Sequence, residues 1–141
     1  MTTRTASARY QGLGKDGQGS VSTQSGVLQG QKYGFNTRFE DTPGTNPEEL
    51  IAAAHASCFT MALSFALAGA GFSEGTLDTK AAVTLEKDGD GFTITRSALT
   101  LEASVPGISP DQFAEIAAQA KAGCPVSKLF NAEITLEHTL K

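Results

Sequence analysis

The sequence predicts an α+β fold in the order β-β-β-α-β-β-α-α-β, and two features carry that expectation. Segments with period-two alternation come in runs before and after the helices, not one by one between them. Between the runs lies a stretch, residues 50–72, without a single Asp, Glu, Lys or Arg. At about 1.5 Å per residue it forms a rod of roughly 33 Å, near the diameter of a small domain. A chain of 141 residues is one domain by length, residues 1–141, and long enough to bury a hydrophobic core.

Taken in order, residues 4–11 form a first strand candidate. Residues 12–20 follow, where Gly12, Gly14 and Gly17 match a G-x-G-x-x-G spacing. No apolar strand precedes this run and no helix follows it, so it reads as a turn between strands and not as a phosphate cradle. Residues 20–24 read as the next strand. In residues 33–40, Tyr33, Phe35, Thr37 and Phe39 alternate with Gly34, Asn36, Arg38 and Glu40, which predicts a third strand and an antiparallel meander.

The charge-free stretch opens on a strong helix start. Asn46 suits the cap, Pro47 the first helical position, and Glu49 the return arm of a capping box. Gly69 and Gly71 supply the stop. A helix apolar all round is enclosed by protein or spans a membrane. The segment is rich in small residues, carries His55, Ser57 and Thr60, and lacks flanking Lys or Arg, so a buried core helix is expected and no membrane partner. One domain of this size has difficulty surrounding such a helix alone, and its small residues Ala54, Ser57, Ala62 and Ala66 invite a second helix. A homodimer is the expectation.

After the helix, residues 77–86 alternate, residues 87–91 make a hairpin turn, and residues 92–105 return. The alternation changes phase at Ala98–Leu99, which predicts a bulge or bend there. Ser109 with Gln112 marks a second capped helix, ending near Gly123; Cys124–Pro125 starts a short third one, and residues 132–140 close the chain as a strand.

Charge and composition narrow the function. The net charge is −4 with no basic run, so nucleic acid is not an expected partner. The N-terminus has no apolar core of the signal-peptide kind, so a cytoplasmic location is expected. Two cysteines, Cys58 and Cys124, suit catalysis or redox chemistry in a reducing compartment better than a structural staple. Cys58, in mid-helix, has no Lys or Arg within a turn and could pack as a small hydrophobe; an activating cation must come from elsewhere, with Arg38 the candidate. Cys124 sits at a helix start, where backbone amides favour a thiolate or the side chain simply caps. Glu48 lies ten positions before Cys58, almost three turns, so any link between them runs through Arg38 or across a dimer. His55, three positions from Cys58, leaves a cysteine hydrolase of Cys58, His55 and a Glu open. Cys58, Cys124, His55 and His138 can be counted as a zinc set, but the close C-x2-C pair is missing, so no metal is expected. A non-catalytic thiol sensor or small-ligand binder is the third class.

YGFNTRFE, then TNPEELIAAAHASCFTMALS, then PGIS followed by AKAGCPVSKLFNAEITLE, resemble the osmotically inducible protein C (OsmC) family, relatives of the organic hydroperoxide resistance proteins. The likeness covers nearly the whole chain, is weakest in the first ten residues, and shows no departure at the motif positions. It implies an intertwined homodimer in which two mixed sheets enclose long buried central helices. It implies a thiol peroxidase acting in oxidative and osmotic stress defence, reducing organic peroxides, and hydrogen peroxide more weakly, to alcohols. Cys58 matches the peroxidatic cysteine, Cys124 the resolving cysteine, Arg38 the residue that activates the thiolate, and Glu48 the residue that orients Arg38. The steps implied are a Cys58 sulfenic acid, an intramolecular disulfide, and recycling by a dithiol reductant of the lipoyl type, with no cofactor. Phe35, Phe39, Phe59 and Met61 are candidates to line a pocket for the organic tail.

Overall fold

The computed structural model describes residues 1–141, which fall into two compact units, residues 1–50 and 51–141. In the first unit, β1 (Ala6–Gln11), β2 (Gln18–Thr23) and β3 (Gln31–Tyr33) form the expected antiparallel meander in the order β1-β2-β3. The glycine-rich run between β1 and β2 is a turn with one 3₁₀ segment, Gly14–Asp16. Gly12 and Gly14 there hold φ of +77° and +72°, the left-handed region that glycine tolerates.

The third predicted strand is corrected. β3 ends at Tyr33, and Phe35–Phe39 is a short helix, α1. Phe35 and Phe39 are four residues apart, a spacing that satisfies one face of a strand and one face of a helix alike. A local closure decides for the helix. The Thr37 hydroxyl accepts from Gly34 N–H at 2.8 Å and donates to Gly34 C=O at 3.0 Å, while Arg38 N–H reaches the same carbonyl at 3.1 Å. The two rings then stand 5.1 Å apart at their centroids.

α2 (Pro47–Gly69) begins in the first unit and continues into the second. Asn46 Oδ1 accepts from Glu49 N–H at 2.8 Å, as a cap should. The Glu49 carboxylate takes the Thr45 hydroxyl at 2.8 Å, so the return arm of the box closes one residue early. The helix stops in a Schellman turn: Phe72 N–H bonds Leu67 C=O and Gly71 N–H bonds Ala68 C=O, each at 3.0 Å, with Gly71 at φ +98°.

In the second unit, β4 (Thr76–Asp88) pairs antiparallel with β5 (Gly91–Ser104), and β6 (Glu133–Leu140) pairs parallel with β5. This sheet is mixed; the sheet of the first unit is antiparallel among its named strands. α3 (Pro110–Gly123) and α4 (Pro125–Leu129) lie between β5 and β6, and Ser109 Oγ caps α3 by accepting from Gln112 N–H at 3.2 Å. The observed order is therefore β-β-β-α-α-β-β-α-α-β, one helix more than expected.

The core of the second unit gathers Phe59, Leu63 and Leu67 of α2, Leu99, Leu101 and Ala103 of β5, and Phe113, Ala117 and Ala120 of α3. Each large side chain buried there contributes on the order of 1.5–3 kcal/mol. The phase change in β5 lies at Thr95, not at Ala98–Leu99: Thr84 faces Arg96 and Leu85 faces Ile94, so Thr95 is the extra residue. Beyond it Ser97, Leu99, Leu101 and Ala103 all point inwards. A buried serine hid the earlier change of phase.

The expectation of an all-round buried α2 is met along one stripe. His55, Phe59, Leu63 and Leu67 are buried, four residues apart, whereas Met61 and Phe65 are 62% and 72% exposed. With a mean hydropathy of 1.7 the helix is long and apolar enough to cross a membrane by length and composition.

Candidate active site

Both cysteines are free thiols, Cys58 from α2 and Cys124 at the cap of α4, and each lies near enough to shift the titration of the other. They differ in access: Cys58 is half-buried, Cys124 is 0% exposed. Pro125 at the first helical position leaves Cys124 in the extended conformation of a cap, and its Sγ accepts from Ser127 N–H at 3.3 Å. Ser127 Oγ stands at the same 3.3 Å.

Those surroundings set the two thiols apart. Burial pushes the Cys58 thiol above its ordinary value, Val126 N–H only partly offsets this, and Cys124 adds to the rise. Burial also raises Cys124, but the Ser127 hydroxyl, Ser127 N–H, Cys58 and Val126 N–H outweigh it and bring that thiol below its ordinary value. The hydrogen-bond donors to sulfur are therefore concentrated on Cys124, and burial makes Cys58 the harder thiol to ionise.

Arg38 and Glu48 are brought together in the first unit. Arg38 Nη2 lies 2.6 Å from Glu48 Oε1, and its Nε lies 3.0 and 3.2 Å from the two carboxylate oxygens. The side chains are 35% and 12% exposed, so this is a fork-on-fork pair at a surface and not a buried one. Glu48 engages Nε and Nη2, and the guanidinium lies over the Phe39 ring, 5.3 Å from its centroid. Arg38, Phe35 and Phe39, with Tyr10 and Tyr33, line a pocket of about 190 Å³ with an apolar majority. Of the four pocket residues expected, Phe35 and Phe39 are here. Phe59 is buried in the core at 0% exposure and cannot line a pocket, because its place on the α2 stripe points it at β5 and α3. Met61 lines a separate, wider cleft with Ala53, Ser57 and Thr79.

His55 departs furthest from its sequence reading. It is 0% exposed, with Nδ1 2.6 Å from Ser97 Oγ and Nε2 2.8 Å from Ser127 Oγ, and its ring stands edge-on to Phe130. Burial lowers its pKa, so the ring is neutral at physiological pH. Both nitrogens are committed to serines, which removes the free base a Cys58–His55 hydrolase requires. His138 stands edge-on to Phe113, and the four counted zinc candidates do not form a group. Sequence reasoning missed Ser97 and Ser127. A histidine in a charge-free run needs buried polar partners, and Ser127 sits three residues into a capped helix start, the place where a hydroxyl meets the cap.

Residues 39–139 match the family model described as OsmC-like protein. The chain belongs to the OsmC-like family. Peroxiredoxin OsmC of Escherichia coli (strain K12) is 58% identical over 134 residues, covering 95% of this chain and 94% of that protein. The crystal structure of organic hydroperoxide resistance protein OhrB of Bacillus subtilis superposes with a TM-score of 0.70 at 27% identity, covering 99% and 98% of the two chains. An OsmC-like protein of unknown function from Vibrio cholerae shares the fold at a TM-score of 0.78 and 16% identity, covering 99% and 100%. At 58% identity to a peroxiredoxin over nearly its whole length, this OsmC-like chain is an enzyme of the thiol-peroxidase kind with a part in stress defence.

Proposed function

We propose that the enzyme reduces organic hydroperoxides to alcohols, with Cys58 attacking and Cys124 resolving, in a homodimer where Arg38, oriented by Glu48, supplies Cys58 with its positive charge. One observation carries the division of labour: the two free thiols are close enough to shift each other's titration, and Cys58 is half-buried where Cys124 is fully buried. A peroxide from solution meets the Cys58 sulfur first. The Cys58 thiolate attacks the O–O bond, takes one oxygen as a sulfenic acid, and the alkoxide leaves as the alcohol after taking up a proton. Cys124 then forms the S–S bond, the S–O bond breaks, and water departs, which guards Cys58 against further oxidation. A dithiol, of the lipoyl type by resemblance, restores both thiols by exchange. Free thiols suit a reducing compartment, and we place the enzyme in the cytoplasm.

Arginine fits the activating role because its guanidinium stays charged and offers a planar fork, with Glu48 holding one edge. The aromatic pocket beside Arg38 favours a peroxide with an organic tail. Cumene hydroperoxide is expected to exceed hydrogen peroxide in kcat/KM by about tenfold or more, since each well-buried apolar group is worth roughly 1–3 kcal/mol of discrimination. Equal values in a steady-state assay would remove the organic-substrate reading.

The dimer rests on α2. A helix with Met61 and Phe65 more than half exposed, beside a wide cleft of about 590 Å³, presents an apolar face that a second copy can cover. Phe65→Glu should yield a monomer by sedimentation velocity, because a two-fold interface carries the unpaired charge twice, at about 3–5 kcal/mol each. An unchanged sedimentation coefficient would place the interface elsewhere.

A further inference from the structure

His55 is the one fully buried titratable side chain that this chemistry leaves unused. It stands in an unbroken line of side chains: Ser97 Oγ, His55 Nδ1 and Nε2, Ser127 Oγ, Cys124 Sγ, joined at 2.6, 2.8 and 3.3 Å. Ser97, His55 and Cys124 are 0% exposed and Ser127 is 6% exposed, so these groups depend on one another for hydrogen bonds.

The line has a direction. Cys124 Sγ accepts from Ser127 N–H at 3.3 Å, which marks the sulfur as an acceptor. The Ser127 hydroxyl can then point its hydrogen at the same sulfur, leaving its oxygen to accept from His55 Nε2–H. A neutral imidazole has one donor and one acceptor, so Nδ1 accepts from the Ser97 hydroxyl. Burial, which lowers the His55 pKa, favours that neutral ring. Every polar group in the line has one role, and each hydrogen bond polarises the next.

We propose that this line positions Cys124 for disulfide formation: His55, acting through Ser127, holds a hydrogen-bond donor on Cys124 Sγ and presents it as the thiolate that attacks oxidised Cys58. This inference rests on the peroxidase reading above. In that step the Cys124 sulfur bonds to the Cys58 sulfur as the Cys58 S–O bond breaks. The departing hydroxide and the proton given up by Cys124 make one water, and the peroxide of the preceding step supplied the oxidising equivalents. The ionisable groups that meet Cys124 are Cys58 from α2 and, through Ser127, His55. His55 touches neither sulfur as a proton acceptor; it is a positioning residue.

Two measurements test this. In a Cys58→Ser background, Cys124 is titrated by ultraviolet thiolate absorbance in the parent and with Ser127→Ala, Ser127→Thr or His55→Gln added. Ser127→Ala and His55→Gln should move the titration to higher pH, with about a tenfold loss of thiolate below the midpoint, the scale of one hydrogen bond to a charged group. Ser127→Thr keeps the hydroxyl and should titrate like the parent. In otherwise wild-type protein, a single turnover with tert-butyl hydroperoxide should show disulfide formation slowed by about tenfold more than peroxide attack in Ser127→Ala, for the same reason. If His55→Gln fails to fold, the Ser127 pair decides. A Cys124 titration that Ser127→Ala leaves in place, or that Ser127→Thr shifts as far as Ser127→Ala does, overturns the inference. A wild-type protein that consumes no peroxide overturns the peroxidase reading instead, and the titration without Cys58 still decides the role of the line.

Discussion

Cys58→Ser lowers peroxide reduction by about a thousandfold or more, because removing a nucleophile leaves only the residual acceleration of binding and oriented donors. The variant should fold, since Cys58 is only half-buried and serine is of similar size. Consumption of cumene hydroperoxide, followed with a lipoyl-type dithiol as reductant, is the readout. Cys124→Ser differs in kind: it still consumes one equivalent of peroxide per site and then stalls. Retained turnover in Cys58→Ser would move the attacking role to Cys124, the sulfur whose surroundings in a single chain favour the thiolate.

Arg38→Met has the second largest effect, a loss of about a hundredfold to a thousandfold in kcat/KM, the range for removing one preorganised donor from a developing negative charge. The pH dependence makes the cause specific. Burial raises the Cys58 thiol above its ordinary value, so the reactive thiolate is lost as pH falls and gained as pH rises. The activating role proposed for Arg38 has it lower that pKa by favouring the charged form. Arg38→Met should therefore displace the rising limb of the kcat/KM profile to higher pH and recover part of the activity in alkaline buffer. Arg38→Lys should restore only part of the rate, since an ammonium cannot hold the bidentate pair with Glu48 and offer a second planar edge at once. A fall in rate with no displacement of the limb would assign Arg38 to peroxide positioning alone.

Much of the fold was legible in the chain because its punctuation is local. Asn46 and Ser109 cap as their sequence positions indicate, Gly71 turns the end of α2, and Pro125 starts α4. Two elements escaped for physical reasons. Phe35 and Phe39 satisfy both periods over five residues, and the closure through the Thr37 hydroxyl, which a pattern of apolar residues does not register, settled the helix. The bulge at Thr95 was read three residues late because Ser97 is polar and nevertheless points inwards.

That same serine explains what the site concealed. Ser97 is inside because its hydroxyl is hydrogen-bonded to His55, and His55 is inside because Ser97 and Ser127 satisfy both its nitrogens. Residues 42 and 72 positions from His55 supply those partners, so no local window contains the reason. Cys58, Cys124, Arg38 and Glu48 could be singled out by residue type and motif. Which cysteine is shielded, and which holds the donors, emerged only from the packing of α2 against α4.

The measurement to make first is the intact mass of the reduced protein after one equivalent of tert-butyl hydroperoxide, for wild type and Cys124→Ser. The attacking and resolving roles proposed for Cys58 and Cys124 predict a loss of two hydrogens in the wild type and a gain of one or more oxygens in Cys124→Ser. An unchanged mass in both proteins would mean that Cys58 is a packed thiol without peroxide chemistry, and would contradict the mechanism at its first step.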